Sequence, residues 1–209
     1  MSEPRPSLLI DLTLPQFAAK VASSEPAPGG GSVAAYGGAL GAALAEMVAG
    51  LTVGRERYAS AHDTMVEVQS QAARLRGQLL ALVDADTAAY TNVMAAYGLP
   101  KETSEQKEQR AAAIQDALKH AADIPLAAAE ACVQVLNLAA LAAQFGNKNA
   151  SSDAAVAALF AHAALQAAVR NVRINIDGLK DAEFRAVAEA RLAGLVAKAE
   201  SALRRATSE

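Results

Sequence analysis

The sequence predicts an all-α, single-domain bundle of about seven helices, orthogonal or up-down, that dimerises through apolar helices. Three observations predict it. Alanine, the strongest helix former, is the commonest residue; glycines and prolines gather at a few places instead of recurring every ten residues as a β-sandwich requires; and apolar positions repeat at spacings of three and four. With 209 residues and 53% hydrophobic content, the chain from 1 to 209 reads as one unit with enough apolar mass for a sizeable core.

Thr13 and Pro15 open a short first helix in which Phe17, Ala18 and Val21 keep helical spacing until Ser23. Pro26-Ala27-Pro28-Gly29-Gly30-Gly31-Ser32 excludes regular structure and ends on a good N-cap, so a second helix is expected from Val33. Its large apolar residues are Val33, Tyr36, Leu40, Leu44, Met47 and Leu51, with Ala and Gly between them. A helix apolar nearly all round belongs at the centre, with part of its surface against a second subunit. A long third helix carries Met65, Val68, Ala72, Leu75, Leu79, Val83, Tyr90, Val93 and Tyr97 and stops at Gly98-Leu99-Pro100.

Thr103 and Gln106 form a capping box for a fourth, more polar helix to about Ala122, and Pro125 then starts a fifth that ends near Gly146. Asn147-Lys148-Asn149 reads as a turn, and Ser151 or Ser152 caps a sixth helix with Val156, Leu159, Phe160, Ala163 and Val169. Asp177-Gly178 marks the turn before a seventh, which holds Phe184, Val187, Leu192, Leu195 and Leu203.

Composition excludes several functions. The 19 basic and 22 acidic residues leave a formal charge of −3, so no basic field is present for a nucleic acid. The longest apolar stretches are interrupted by Glu46, Gln144 or His162, short of the roughly 20 strongly apolar residues that cross a bilayer. The amino-terminal MSEPRPSLLIDLTL has no export pattern. Cys132 lies among apolar residues and reads as a buried small hydrophobe, which with the lack of a second cysteine suits a cytoplasmic protein. His62, His120 and His162 stand too far apart for a zinc motif, so no metal is expected, and Ser32 has no nucleophile-elbow context.

Three places could carry chemistry. The glycine turn Gly29, Gly30, Gly31 with Ser32 lets backbone approach a ligand and opens a helix whose free amides favour an anion or carbonyl; it is equally a tight turn for helix packing. Central Gly30 is the position expected to tolerate a Cβ least. Asp86 shares a helical stripe with Leu79, Val83, Tyr90, Val93 and Tyr97, whereas Asp84 falls on another face. An inward carboxylate needs a partner or a polar cavity: the alternatives are an acid–base group or a core Asp paired with an Arg. The polar turn Gly146 to Asp153, with Asn147, Lys148, Asn149 and Asp153, offers donors, acceptors, an ammonium and a carboxylate as a heterocycle site needs, against plain loop-and-cap chemistry. Arg55, Arg57, Arg170, Arg173 and Asn175 lie near helix ends, where basic residues are usually solvated.

PAPGGGSVAA with Met47-Val48 and Leu51 to Arg55, Asp84-Ala85-Asp86 with Tyr90, MAAYGLPK at 94–101, Ile124-Pro125, GNKNASSDA at 146–154 and Val172 to Asn175 occur in an order and spacing that spans nearly the whole chain. In these the sequence resembles the formiminotetrahydrofolate cyclodeaminase/methenyltetrahydrofolate cyclohydrolase family, most closely the stand-alone bacterial cyclohydrolases. The resemblance implies a helical bundle, paired as a homodimer or higher homo-oligomer, with a folate groove near the interface and no cofactor beyond the tetrahydrofolate substrate. It implies hydrolysis of 5,10-methenyltetrahydrofolate to 10-formyltetrahydrofolate, or cyclodeamination of 5-formiminotetrahydrofolate. Asp86 is then the expected base, Asp153 its alternative, and Lys148 with Asn149 the polarising or orienting groups. Gly29, Gly30, Gly31, Ser32, Arg55, Asn147, Asn149 and Asn175 are expected to bind substrate. A non-catalytic folate-binding or scaffold protein is the reading from another class.

Overall fold

A computed structural model describes residues 8–207. The expectation about the extreme amino terminus falls largely on residues outside that range. The fold is built from α1 (Leu14–Val21), α2 (Gly30–Gly50), α3 (His62–Tyr97), α4 (Ser104–Phe145), α5 (Ser151–Asp177) and α6 (Ala182–Thr207). Short 3-10 turns at Leu9–Asp11, Glu56–Ala61 and Lys148–Ala150 join them, and the described residues contain no strand. The all-α class holds, with α2 packed among α3, α4 and α5, and α6 closing against α4 and α5.

Six α-helices replace the expected seven because Pro125 lies inside α4 instead of starting a new helix. Ala121, Ala122, Leu126, Ala129 and Cys132 are all buried on either side of it, so one continuous core-facing stripe crosses the proline. Burial along that stripe outweighs the single backbone hydrogen bond that proline removes. The capping boxes on α1 (Thr13 with Gln16) and α4 (Thr103 with Gln106) form as read. The cap of α5 does not: Ala150 holds that position without a side-chain bond, and Asn147 instead accepts from the Asn149 amide one turn earlier.

Two departures concern α2. It starts at Gly30, with Gly29 as N-cap, so Ser32 is its third residue and its hydroxyl is buried instead of capping. Its inward face is made of Gly31, Ser32, Ala34, Ala35, Gly38, Ala39, Gly41, Ala42, Ala45, Val48 and Ala49, nearly all small, whereas Val33, Leu40, Met47 and Leu51 are exposed. Small residues face the core because they let α3 and α5 approach closely, and the bulky apolar residues are left on the outside. The longest core side chains come from neighbouring helices: Met65, Leu75, Leu79, Leu136, Leu165 and Leu192 are fully buried.

The expected shortage of apolar length also needs correction. Gly30–Gly50, Ser104–Phe145 and Lys148–Asp177 are each long and apolar enough to cross a membrane, with mean hydropathy of 1.3, 1.7 and 1.3 in their most apolar windows. Gln144 falls at the end of its helix, and Glu46 and His162, though inside theirs, are single polar residues that leave the mean hydropathy high. Burial within the bundle covers 50%, 67% and 44% of the windows, so core packing accounts for most of the apolarity of Ser104–Phe145 and about half of that of the other two.

The chain ahead of α1 is tied to α3 by Asp84, whose carboxylate accepts the Leu9 amide at 2.6 Å and the Ile10 amide at 3.4 Å. Phe17 of α1 meets the Tyr36 ring at 5.3 Å. These contacts hold α1 over the α2–α3 pair and deliver Pro26 and Ala27 to the mouth of the site described next.

Candidate active site

Asp86 lies one turn beyond buried Val83 on α3, and its carboxylate rests against the first turn of α2. At Gly31 an ideal Cβ would stand 2.0 Å from Asp86 Oδ1 and 2.5 Å from Cγ, so glycine is required for this approach. Ser32 is fully buried; its Oγ lies 3.0 Å from Asp86 Oδ2, 2.9 Å from the Val83 carbonyl and 3.2 Å from Thr87 Oγ1. The hydroxyl has one proton for two acceptors, and Thr87 can donate to it in turn, so the cluster adjusts to either charge state of Asp86.

Burial is the dominant influence on Asp86 and raises its pKa above the ordinary carboxylate value, while hydrogen bonds from the Ser32 side chain and backbone pull it part of the way back. Among the described residues no salt bridge involves Asp86, which removes the alternative of a core Asp neutralised by Arg. The carboxyl opens on a cleft of about 220 Å³ lined by Gly29, Gly30, Gly31, Tyr90, Asn171 and Asn175 among others. That volume is below the roughly 300–1,000 Å³ of sites for whole drug-sized ligands, so it suits the head of a ligand. Tyr97, expected on the same stripe, is instead 46% exposed near Arg110, because α3 has turned past the cleft by then.

The structure brings Asp86, Gly29, Gly30, Gly31, Ser32 and Asn175 together and adds Asn171, which the sequence reading missed. Its signal was available: Asn171 and Asn175 are four apart on a helix and share a face. Gly30 is less confined than expected, since a Cβ there meets the Asn171 amide at an ordinary 3.5 Å.

Arg55, Asn147, Lys148, Asn149 and Asp153 gather elsewhere. Thr52, at the far end of α2, accepts the Asn147 amide at 2.8 Å, and Tyr58 bonds both Asn147 Oδ1 and the Lys148 amide. Lys148 Nζ donates to the Ala143 and Gln144 carbonyls at 3.2 Å each, closing the end of α4. Arg55 is exposed and Asp153 sits in the first turn of α5. From Ser32 to the end of α2 at Gly50 is 18 residues, about 27 Å at 1.5 Å per residue, and Thr52 lies just beyond, so within one chain these groups do not reach Asp86.

A larger groove of about 870 Å³ runs between α5 and α6, with Arg170, Arg173 and Arg185 facing Asp177 and Glu189. Arg173 is paired with Glu189 at 3.2 Å, and Ile174 borders both this groove and the Asp86 cleft.

The site is that of a helical bundle with a desolvated carboxylate at the head of a small cleft, a group chemically suited to proton transfer. A family model described as Formiminotransferase-cyclodeaminase matches residues 13–194, and the chain belongs to that family. It is 45% identical over 187 residues to a methenyltetrahydrofolate cyclohydrolase of Methylorubrum extorquens, covering 90% of each chain. Against the formimidoyltransferase-cyclodeaminase of Rattus norvegicus it is 38% identical over 96% of its own length, which spans 37% of that longer protein. The crystal structure of formiminotetrahydrofolate cyclodeaminase from Thermotoga maritima superimposes with a TM-score of 0.86 at 32% identity, over 95% of each chain.

Proposed function

We propose that the chain is a cytoplasmic methenyltetrahydrofolate cyclohydrolase that needs no cofactor beyond its folate substrate. The observation that carries this reading is the Asp86 carboxyl, held by Ser32 against Gly31 at the head of a cleft sized for a pterin. The substrate's bridging carbon is already a cation between N5 and N10, so the enzyme must supply an oriented water and a place for its proton. Asp86 takes one proton as the water oxygen bonds to that carbon, giving a neutral carbinolamine. The same carboxyl then protonates N5 as the C–N5 bond breaks, and the carbinol proton leaves through the regenerated carboxylate. The products are 10-formyltetrahydrofolate and one proton, and general-base help of this kind is worth about 10² to 10⁴ in rate.

A buried anion also favours a cationic substrate over its neutral product, and the arginines beyond Ile174 suit the anionic tail of a folate whose head occupies the cleft. A homodimer belongs to the same proposal, supported by the exposed stripe of Val33, Leu40 and Met47 along α2 and by Val156, Leu159 and Phe160 on α5. Cyclodeamination of 5-formiminotetrahydrofolate is the second reading, favoured by the Thermotoga maritima structure. There N10 attacks the formimino carbon, and the same acid protonates departing ammonia. Purified protein offered each folate separately decides between them: the larger kcat/KM over the uncatalysed rate names the activity, and acceleration of neither overturns both in favour of a scaffold.

A further inference from the structure

A proline inside a helix has no N–H for the carbonyl four residues earlier. In α4 that carbonyl belongs to Ala121, a residue 5% exposed, so its oxygen needs another donor. Asn175 replaces it: its Nδ2 donates to the Ala121 carbonyl at 2.7 Å, reaching across from α5. Ala121 and Asn175 both line the Asp86 cleft. Since a carbonyl only accepts, the bond fixes which way the amide faces, with nitrogen toward Ala121 and Oδ1 away from it. Asn171, one turn earlier, is held differently, by the Ala167 carbonyl of its own helix at 2.9 Å.

We propose that Pro125 is a positioning residue for substrate: by withholding an N–H from Ala121 it locks the Asn175 amide so that Oδ1 accepts a hydrogen bond from the pterin head. The identity of the ligand rests on the folate reading above; the Pro125–Asn175 link does not. A proline in the middle of a buried helix is otherwise unfavourable by about as much as several ordinary side-chain contacts, and here it leaves an acceptor that the Asn175 side chain, from another helix, satisfies.

Pro125→Ala tests this, because the new N–H competes with Asn175 for the Ala121 carbonyl. In ligand-free protein the slowly exchanging side-chain amide resonance of Asn175 should be lost while thermal stability is kept or raised. KM for methenyltetrahydrofolate should rise about tenfold with a smaller change in kcat, as expected when one fixed polar contact is released. Asn175→Ala should do the same, and the double variant should be no worse than Asn175→Ala alone. Asn175→Asp leaves α4 untouched but sets an acceptor against the Ala121 carbonyl, so it should show the same KM rise even where Pro125→Ala does not fold. The proposal is overturned if Pro125→Ala keeps the protected amide and the wild-type KM, if the two single effects multiply, or if Asn175→Asp binds like wild type. A wild-type protein that turns over neither folate would sink the functional reading alone, since the amide resonance is read without substrate.

Discussion

The carboxylate of Asp86 occupies the space that a side chain on Gly31 would need, with Oδ1 2.0 Å from the ideal Cβ position. Gly31→Ala must therefore push Asp86 or separate α2 from α3. A misplacement of about 1 Å can cost 10²-fold in rate, and a loss of that order in kcat/KM is expected. Gly30→Ala, which meets only the Asn171 amide at 3.5 Å, should stay within a few-fold of wild type. Steady-state kinetics on the pair checks the assignment, and equal losses at both positions would contradict it.

Asp86 also sets a pH dependence. The general base works ionised, so kcat/KM should fall as pH drops through a pKa above the ordinary Asp value. For stability the sign is reversed from the usual paired carboxylate. The folded pKa lies above the unfolded one, so the folded state binds the proton more tightly, and this contribution is lost as pH rises through the folded pKa. Asp86→Asn should thus lower kcat by about 10² to 10⁴ while raising Tm at neutral pH, with the Tm advantage shrinking in acid. A variant less stable than wild type at neutral pH would show that the ionised carboxylate holds the fold together.

The fold class, the end of α3 at Tyr97 and the inward face of Asp86 were legible because each rests on local periodicity or a helix-stop signal. Three things were not. Pro125 reads as a helix start because sequence shows the missing N–H but hides the Asn175 amide that takes its place on the Ala121 carbonyl, 54 residues away from it. Ser32 reads as a cap because its alternative partners, Val83 and Asp86, belong to another helix. On α2 the apolar residues run nearly all round, so the pattern did not show that Ala and Gly would make most of the buried face and leave Val33, Leu40 and Met47 outside. The candidate site was half legible: motif order marked its polar residues except Asn171 but could not say that most of the length of α2 lies between the two groups.

The close approach of α2 to α5 is itself testable. A Cβ on Gly41 would stand 2.8 Å from the Ala157 carbonyl oxygen and 3.2 Å from the Ala161 nitrogen, both backbone atoms of α5 that cannot rotate away. Gly41→Ala should destabilise by about 1–3 kcal/mol through overpacking. Gly77→Ala, on the exposed side of α3 with nothing within 4 Å, should stabilise by about 0.5–1 kcal/mol. Thermal or denaturant unfolding reads both, and a matching sign at the two positions would refute the packing argument.

The separated polar groups acquire a role if α2 pairs with its own copy. Val33, Leu40 and Met47 are 42%, 37% and 41% exposed and seven residues apart, which keeps them on one face of the helix. A two-fold axis passing through Leu40 at right angles to α2 would run the helices antiparallel and set the stripe against itself reversed. The Ser32 end of one chain then lies beside the Thr52 end of the other, and the Asn147–Lys148 turn approaches the Asp86 cleft from across the interface. Leu40→Arg should yield a monomer in sedimentation and lose activity with it. Asp86→Asn and Lys148→Ala should each be nearly inactive alone, yet recover roughly a quarter of wild-type activity when mixed and allowed to exchange. Half of the randomly paired dimers would then contain one complete site of two. Lys148 also closes the end of α4 through the Ala143 and Gln144 carbonyls, so a loss in Lys148→Ala alone is ambiguous. Recovery on mixing removes the ambiguity, since a chain damaged only in its fold gains nothing from an intact Lys148 on its partner. No recovery after exchange would confine the site to a single chain and leave the 146–153 turn a structural element.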